Sequence, residues 1–126
     1  MSPRKKRIAL VEDNEVIRIA LRAVLRHAGY DVVGEARDGV AGVELVERLR
    51  PDLVCLDVVM PKLDGIAALL QIRTRLPEVK VLMVTGQTDR ENVENMIRQG
   101  AHGIVVKPFN AVRVVETVER ALAGQR

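Results

Sequence analysis

Five short runs of apolar residues are distributed along the chain, separated by longer segments of mixed character. They cover residues 8–11, 32–33, 53–56, 81–84 and 104–106. Within each run the apolar character is continuous and does not alternate with polar residues. This pattern predicts strands that are covered on both faces, as in a parallel sheet lying between two layers of helices.

The segment after the first run has the spacing of an amphipathic helix. Its apolar face is predicted to consist of Val16, Ile17, Ala20, Leu21, Val24, Leu25 and Ala28. Charged residues of the same segment, Arg18 and Arg22 among them, are expected on the opposite side. Gly29 is predicted to end this helix, since glycine adopts the positive φ of a helix C-terminus without strain.

Similar spacing, together with residues that begin or end helices, predicts four more helices. Their predicted limits are residue 39 to Arg50 before Pro51, Asp64 to about Leu76, Thr88 or Asp89 to Gly100, and Asn110 onward. The last helix is expected to bury Val112, Val115, Val118 and Leu122. Five strands and five helices in alternation predict an α/β domain with a doubly wound parallel sheet. The 126 residues are sufficient for one such domain.

Polar side chains follow four of the five predicted strands. Glu12 and Asp13 follow the first, Asp57 the third, Thr85 the fourth and Lys107 the fifth. The carboxyl ends of parallel strands meet at one edge of the sheet, so these side chains are expected in one crevice. Three carboxylates and one ammonium leave a charge of about −2, which suits a hard divalent cation such as Mg²⁺. An aspartate carboxylate in such a site can attack phosphorus and form an aspartyl phosphate.

These residues also carry a resemblance to a known family. The matching motifs are Glu12-Asp13, Asp57 with Met60-Pro61 and Asp64-Gly65, Thr85-Gly86, and Lys107-Pro108-Phe109. Together they resemble the response-regulator receiver domain of two-component signalling, over about residues 7–122. The resemblance implies a flavodoxin-like fold with strand order 2-1-3-4-5.

The resemblance also implies a role for each matched residue. Asp57 would accept a phosphoryl group from the phosphohistidine of a sensor histidine kinase or phosphotransfer protein. Glu12, Asp13, Asp57 and the carbonyl of Val59 would bind Mg²⁺. Lys107 would pair with Asp57 or its phosphate, and the Lys107–Pro108 peptide bond would be cis. Thr85, assisted by the amide of Gly86, would hydrogen-bond the phosphoryl oxygens.

The chain departs from the family pattern at one position that matters for signalling. Ile104 stands where the family has an aromatic residue, and an aliphatic side chain cannot act as an aromatic rotamer switch. The signal is therefore expected to pass through the Thr85 loop and the fourth helix, which has a thin apolar stripe of Val93, Met96 and Ile97. Val59 and Gln87 occupy positions that tune self-dephosphorylation in the family, and Val59 predicts a slowly decaying phosphate.

Charge and composition exclude several other classes of protein. The net charge is +3, from 20 basic and 17 acidic residues, and four of the basic residues lie at positions 4–7. Removing those four leaves 16 − 17 = −1, so we expect a basic N-terminal extension over residues 1–6 and a receiver domain over residues 7–126. With one Tyr, one Phe and no Trp, direct nucleic-acid binding is not expected. The sequence has no signal peptide or membrane segment and a single cysteine, Cys55, which predicts a cytoplasmic protein without a membrane partner.

The chemistry leaves more than one function open. The first is a receiver that signals to a downstream protein through its fourth helix, fifth strand and fifth helix, as a monomer or a phosphorylation-dependent dimer. The alternative is the receiver half of a DNA-binding transcriptional regulator. A nucleotide or flavin site is disfavoured because residues 11–15 contain no glycine. An independent phosphatase is disfavoured because Val59 supplies no acid or base, so no enzymatic activity is expected beyond phosphotransfer to the chain itself and self-dephosphorylation.

Overall fold

The computed structural model describes residues 4–86 and 90–124. The strands are β1 (Arg7–Val11), β2 (Asp31–Ala36), β3 (Leu53–Asp57), β4 (Lys80–Thr85) and β5 (Gly103–Val106). The helices are α1 (Glu15–His27), α2 (Gly39–Leu49), α3 (Gly65–Arg75), α4 (Arg90–Arg98) and α5 (Ala111–Leu122). Strands and helices alternate along the chain, which confirms the predicted α/β class.

All strand pairings in the sheet are parallel, and the strand order is β2-β1-β3-β4-β5. This order confirms the doubly wound topology that the sequence predicts. Asp57, the last residue of β3, pairs with Val84, and Thr85, the last residue of β4, pairs with Val106. The carboxyl ends of the central strands therefore lie side by side, at the edge where α/β sheets bind ligands.

The helices cover both faces of the sheet and bury two apolar clusters. One cluster joins alternate strand residues to α2, α3 and Met96 of α4. The other joins the remaining strand residues, Cys55 among them, to α1 and α5. Covering both faces in this way explains why the strands are continuously apolar in sequence.

Four helices begin at a side chain that accepts a hydrogen bond from the helix backbone. These residues are Asn14, Asp38, Asp64 and Asn110. The predicted starts at Asp64 and Asn110 are thereby confirmed, whereas the predicted start of α4 at Thr88 or Asp89 lies outside the described residues. Gly29 follows the C-cap of α1 at a φ of 95°, and its N–H donates to the carbonyl of Arg26.

Two predicted helix faces are partly wrong. In α1, Val16 is 77% exposed, Ala28 is exposed, and Arg18 is buried at 6% exposure. Arg18 is tolerated inside because Glu35 of β2 supplies an opposite charge 3.0 Å away. In α5, Val112 is 67% exposed and Val114 is buried instead, because the stripe that meets the sheet starts two residues later than expected.

Residues 4–6 precede β1 without regular structure and are exposed. They still contact the domain: Arg4 Nη2 lies 3.7 Å from Asp52 Oδ1, and the Lys6 carbonyl accepts a hydrogen bond from the Asp31 N–H. The division into an extension over residues 1–6 and a domain over residues 7–126 stays a prediction. Within the described part of the chain, every helix is too short or too polar to cross a bilayer.

Candidate functional site

Asp57 is the centre of the candidate site. It ends a strand whose residues are all buried, and it is itself only 5% exposed. A buried carboxylate is costly without a partner. The Asp57 Oδ1 atom accepts a hydrogen bond of 3.1 Å from Lys107 Nζ, so the expected pairing between these two residues is present.

Lys107 joins the ends of three strands. Its Nζ lies 3.0 Å from Glu12 Oε1 and 3.1 Å from Asp57 Oδ1, while its backbone N–H donates to the Thr85 carbonyl at 2.8 Å. Burial alone would lower the pKa of the Lys107 ammonium, but its contacts with the two carboxylates outweigh burial and raise that pKa. Lys107 is therefore a fixed positive charge at neutral pH. The Lys107–Pro108 peptide bond is cis, as expected.

Glu12 directly follows β1 and is 1% exposed. Its Oε2 accepts a hydrogen bond of 3.2 Å from the Asn14 N–H, whereas its Oε1 contacts Lys107 without hydrogen-bond geometry. The pKa of Glu12 is raised to about 7, first by burial and then by the neighbouring Asp57 carboxyl, which together outweigh the opposite effects of Lys107 and the Asn14 N–H. Glu12 is thus a buried acid whose charge is incompletely compensated by protein groups.

The three acidic residues converge on one point. Glu12, Asp13 and Asp57 each offer a carboxylate oxygen, and these oxygens all lie within 4.8 Å of one another. Glu12 and Asp57 are buried, while Asp13 is exposed and borders solvent. An all-oxygen donor set with an open side, around a buried carboxylate oxygen that lacks a hydrogen bond, fits a hard divalent cation such as Mg²⁺.

Thr85 and Gly86 form the other side of the crevice. Thr85 is buried and lies one residue beyond Val84, the strand partner of Asp57. Gly86 borders open space, since a Cβ atom built there would have no neighbour within 4 Å. The structure therefore puts a hydroxyl-bearing residue and an unobstructed backbone at the predicted edge. Gln87 lies outside the described residues.

The loop after Asp57 is held close to the strand end. The Gly65 N–H donates to the Val58 carbonyl at 2.7 Å, and a Cβ atom on Gly65 would lie 2.1 Å from the Asp57 carbonyl oxygen. Only a residue without a side chain allows α3 to begin so close to β3. The Val59 side chain points outward and is exposed, and its carbonyl as a cation ligand stays a prediction.

Glu12, Asp13, Asp57 and Lys107 are thus brought together as the sequence predicts, and Thr85 lies at the same edge. Two further residues next to the site, Arg18 and Glu35, were missed as contributors to it. Arg18 donates from Nη1 to the Glu12 carbonyl and from Nε to Glu35 Oε1, each at 3.0 Å. The signal for Arg18 was its position, three and seven residues before the buried Leu21 and Leu25.

Known proteins resemble this chain over nearly its whole length. Protein CcdB of Bacillus subtilis (strain 168) is 40% identical over 116 residues, which cover 92% of this chain and 97% of that protein. The signal receiver domain of the response regulator NarL from Mycobacterium tuberculosis superposes with a TM-score of 0.93 at 30% identity, covering 98% of this chain and 100% of that chain. A chain of the CheX–CheY–BeF3–Mg²⁺ complex from Borrelia burgdorferi superposes with a TM-score of 0.87 at 26% identity, covering 90% of this chain and 86% of that chain.

The sequence profile described as the response regulator receiver domain matches residues 8–119. That range contains every strand end that contributes to the crevice, from Glu12 to Lys107. Together with the parallel sheet and its strand order, the match leads to one conclusion. The chain belongs to the response regulator receiver domain family of two-component signalling.

Proposed function

We propose that this chain is a phosphorylation-dependent switch in which Asp57 is the phosphoacceptor. The observation that supports this most directly is the buried Asp57 carboxylate, held 3.1 Å from the Lys107 ammonium in the crevice. A purely structural ion pair would not need the second and third carboxylates of Glu12 and Asp13 beside it. Excess negative charge of this kind is instead suited to a site that binds a cation together with a phosphoryl group.

Glu12, Asp13 and Asp57, with the Val59 carbonyl, would hold Mg²⁺. When bound, the ion supplies positive charge that offsets the carboxylates and the oxygens of an incoming phosphoryl group. The close spacing of the three carboxylates supports this assignment. It is further supported by the structurally similar complex from Borrelia burgdorferi, which contains BeF3 and Mg²⁺.

In the transfer step, an Asp57 carboxylate oxygen forms a bond to phosphorus. The phosphorus–nitrogen bond of a donor phosphohistidine breaks, and the electron pair remains on the imidazole nitrogen of the partner kinase or phosphotransfer protein. Lys107 keeps its proton and pairs with the charge that the phosphoryl oxygens bring. The Thr85 hydroxyl and the Gly86 N–H would then donate hydrogen bonds to those oxygens.

The output surface would be the face formed by α4, β5 and α5. An apolar groove of about 270 Å³ lies on this face between α4 and β5, lined by Val93, Ile97, Ala101, His102, Gly103 and Ile104. Ile104 is half-buried and pairs with Met83, so an aliphatic side chain occupies the position expected for a switch aromatic. We therefore assign the signal to movement of the Thr85 loop and α4, read by a downstream protein at this groove.

The test is the intact mass of the protein after incubation with acetyl phosphate, with and without Mg²⁺. We expect wild type to gain one phosphoryl group only when Mg²⁺ is present, and Asp57→Asn to gain none. Asp31→Asn removes an exposed carboxylate at the start of β2 and is the matched control, expected to behave as wild type. Phosphorylation of Asp57→Asn, or none in wild type with Mg²⁺ bound, would contradict the proposal.

A further inference from the structure

Arg18 is a buried cation that the phosphoacceptor chemistry does not itself use. It lies in α1 at 6% exposure, and its guanidinium makes two different contacts. Nε donates to the Glu35 carboxylate on β2, and Nη1 donates to the backbone carbonyl of Glu12, each at 3.0 Å. A single rigid group therefore connects an edge strand to the residue that begins the acidic cluster.

Glu35 is in turn fixed by a second arginine. Its Oε2 accepts a hydrogen bond of 2.8 Å from Arg22 Nη1, one turn further along α1. Each carboxylate oxygen of Glu35 is thus bound to a different guanidinium group, so the Arg18 contact with Oε1 does not depend on Arg22. Both arginines contact Glu35, and Arg18 also contacts Glu12. Arg22 can therefore serve as a control for the Arg18 contact with Glu12.

The backbone of Glu12 is held at both of its polar groups. Its N–H donates to the Ala36 carbonyl at 3.0 Å, and its carbonyl accepts from Arg18. The carbonyl of Glu12 belongs to the same peptide group as the N–H of Asp13. A change of ψ at Glu12 would turn the Asp13 side chain relative to that of Glu12, and it would first have to break the Arg18 hydrogen bond.

We propose that Arg18, held by Glu35, is a positioning residue that fixes the Glu12–Asp13 peptide so that both carboxylates face a bound divalent cation. The proposal rests on the proposed cation site. Arg18 contacts neither the phosphoacceptor nor the expected ligand oxygens, so it acts through the backbone of Glu12. Groups that orient metal ligands in this way typically contribute about 10- to 100-fold to metal affinity.

The test is Mg²⁺ affinity measured by calorimetric titration, with Mn²⁺ as a second probe, on wild type, Arg18→Met and Arg22→Met. Urea unfolding of each variant measures how much stability each loses. We expect Arg18→Met to bind Mg²⁺ at least about 10-fold more weakly than wild type. Arg22→Met, which also loses a contact with Glu35, should change the affinity by less than about twofold.

A readout without metal separates positioning from general stabilisation. Loss of the hydrogen bond to the Glu12 carbonyl should shift the amide resonance of Asp13 in Arg18→Met, and Arg22→Met should leave it in place. If Arg18→Met does not fold, Arg18→Lys takes its place, because one ammonium cannot maintain both guanidinium contacts. Arg18→Lys should then show a smaller loss of affinity and the same direction of shift.

The outcomes are distinguishable. If wild type binds Mg²⁺ and Arg18→Met or Arg18→Lys binds it equally well, the positioning role is wrong while the proposed function stands. Equal weakening in the Arg18 variant and Arg22→Met also overturns the positioning role, because a loss of stability would then explain both. If wild type binds neither Mg²⁺ nor Mn²⁺, the cation site and the positioning role fail together.

Discussion

The two sides of the crevice differ in how firmly they are held. On the β1–β3 side, both backbone polar groups of Glu12 are hydrogen-bonded, and Gly65 leaves no space between α3 and the end of β3. On the β4–α4 side, Gly86 borders open space, and Met96 is the one fully buried residue among those described in α4. Clustered charges require a rigid frame, whereas a signal is carried more easily by an element that opens at low cost.

The largest effect that follows from this difference concerns the two glycines. Gly65→Ala would force a Cβ atom to within 2.1 Å of the Asp57 carbonyl oxygen, and we expect it to lower the free energy of unfolding by about 4 kcal/mol or more. Gly86→Ala meets no atom within 4 Å and should change that free energy by less than about 0.5 kcal/mol. Urea denaturation of both variants measures the two values. Similar losses in both would remove the contrast between the two sides.

A smaller but more local effect is expected in α4. Met96→Ala removes the helix's buried anchor and should cost about 2–4 kcal/mol, with amide hydrogen exchange in residues 90–98 accelerated far more than in α1. Ile97→Ala is the matched control, because Ile97 is 44% exposed and its loss should cost about 0.5 kcal/mol. If Met96→Ala instead accelerated exchange equally in α1 and α4, then α4 would not open independently.

A third prediction concerns the carboxylate charge of Glu12 on the β1–β3 side. The folded protein holds the Glu12 proton up to a pKa of about 7, against 4.5 for an ordinary glutamate, so metal-free wild type loses stability as pH rises from 4.5 towards 7. Glu12→Gln removes that charge and should raise the free energy of unfolding by about 1–2 kcal/mol at pH 8. At pH 4, where Glu12 is protonated in both states, the difference should nearly vanish.

Urea unfolding in a chelator at the two pH values measures this, and repeating it with Mg²⁺ provides the control. Added Mg²⁺ should stabilise wild type at pH 8 more than it stabilises Glu12→Gln, because the variant lacks one of the three carboxylates. A Glu12→Gln variant that is less stable than wild type at pH 8 without metal would show that Glu12 is fully compensated by Lys107 and Asn14.

Much of the fold, and the edge of the sheet where the site lies, was predictable because local chemistry determines them. Strands covered on both faces must be continuously apolar, and short polar side chains such as Asp64 and Asn110 are the usual helix N-caps. The convergence of Asp57, Thr85 and Lys107 follows from parallel strands alone. The strands and helix caps depend on residues that are near one another in sequence, and the parallel direction of the strands then brings their ends together.

What the sequence did not reveal depends on contacts between distant segments. Arg18 is buried because Glu35, 17 residues further along the chain, lies opposite it. Its spacing to Leu21 and Leu25 fits the buried stripe, but its charge alone assigns an arginine to the solvent side when the partner is unknown. Val112 and Val114 are chemically identical, so only the rotation of α5 against the sheet decides which of them is buried. The two hydrogen bonds that hold the Glu12 backbone were missed for the same reason. One joins it to the Ala36 carbonyl, and the other to Arg18, whose side chain was expected on the solvent side.

The most direct test of the account compares amide NMR spectra of the protein free and phosphorylated in the presence of Mg²⁺. We predict large shifts at Asp57 and across residues 90–98 and 103–106, with the resonances of residues 18–27 nearly unchanged. That result would assign the signal to the loosely held β4–α4 side and show that the β1–β3 side stays in place. Spectra that superimpose across residues 90–98 would contradict the account, because phosphorylation would then leave the proposed output helix unaltered.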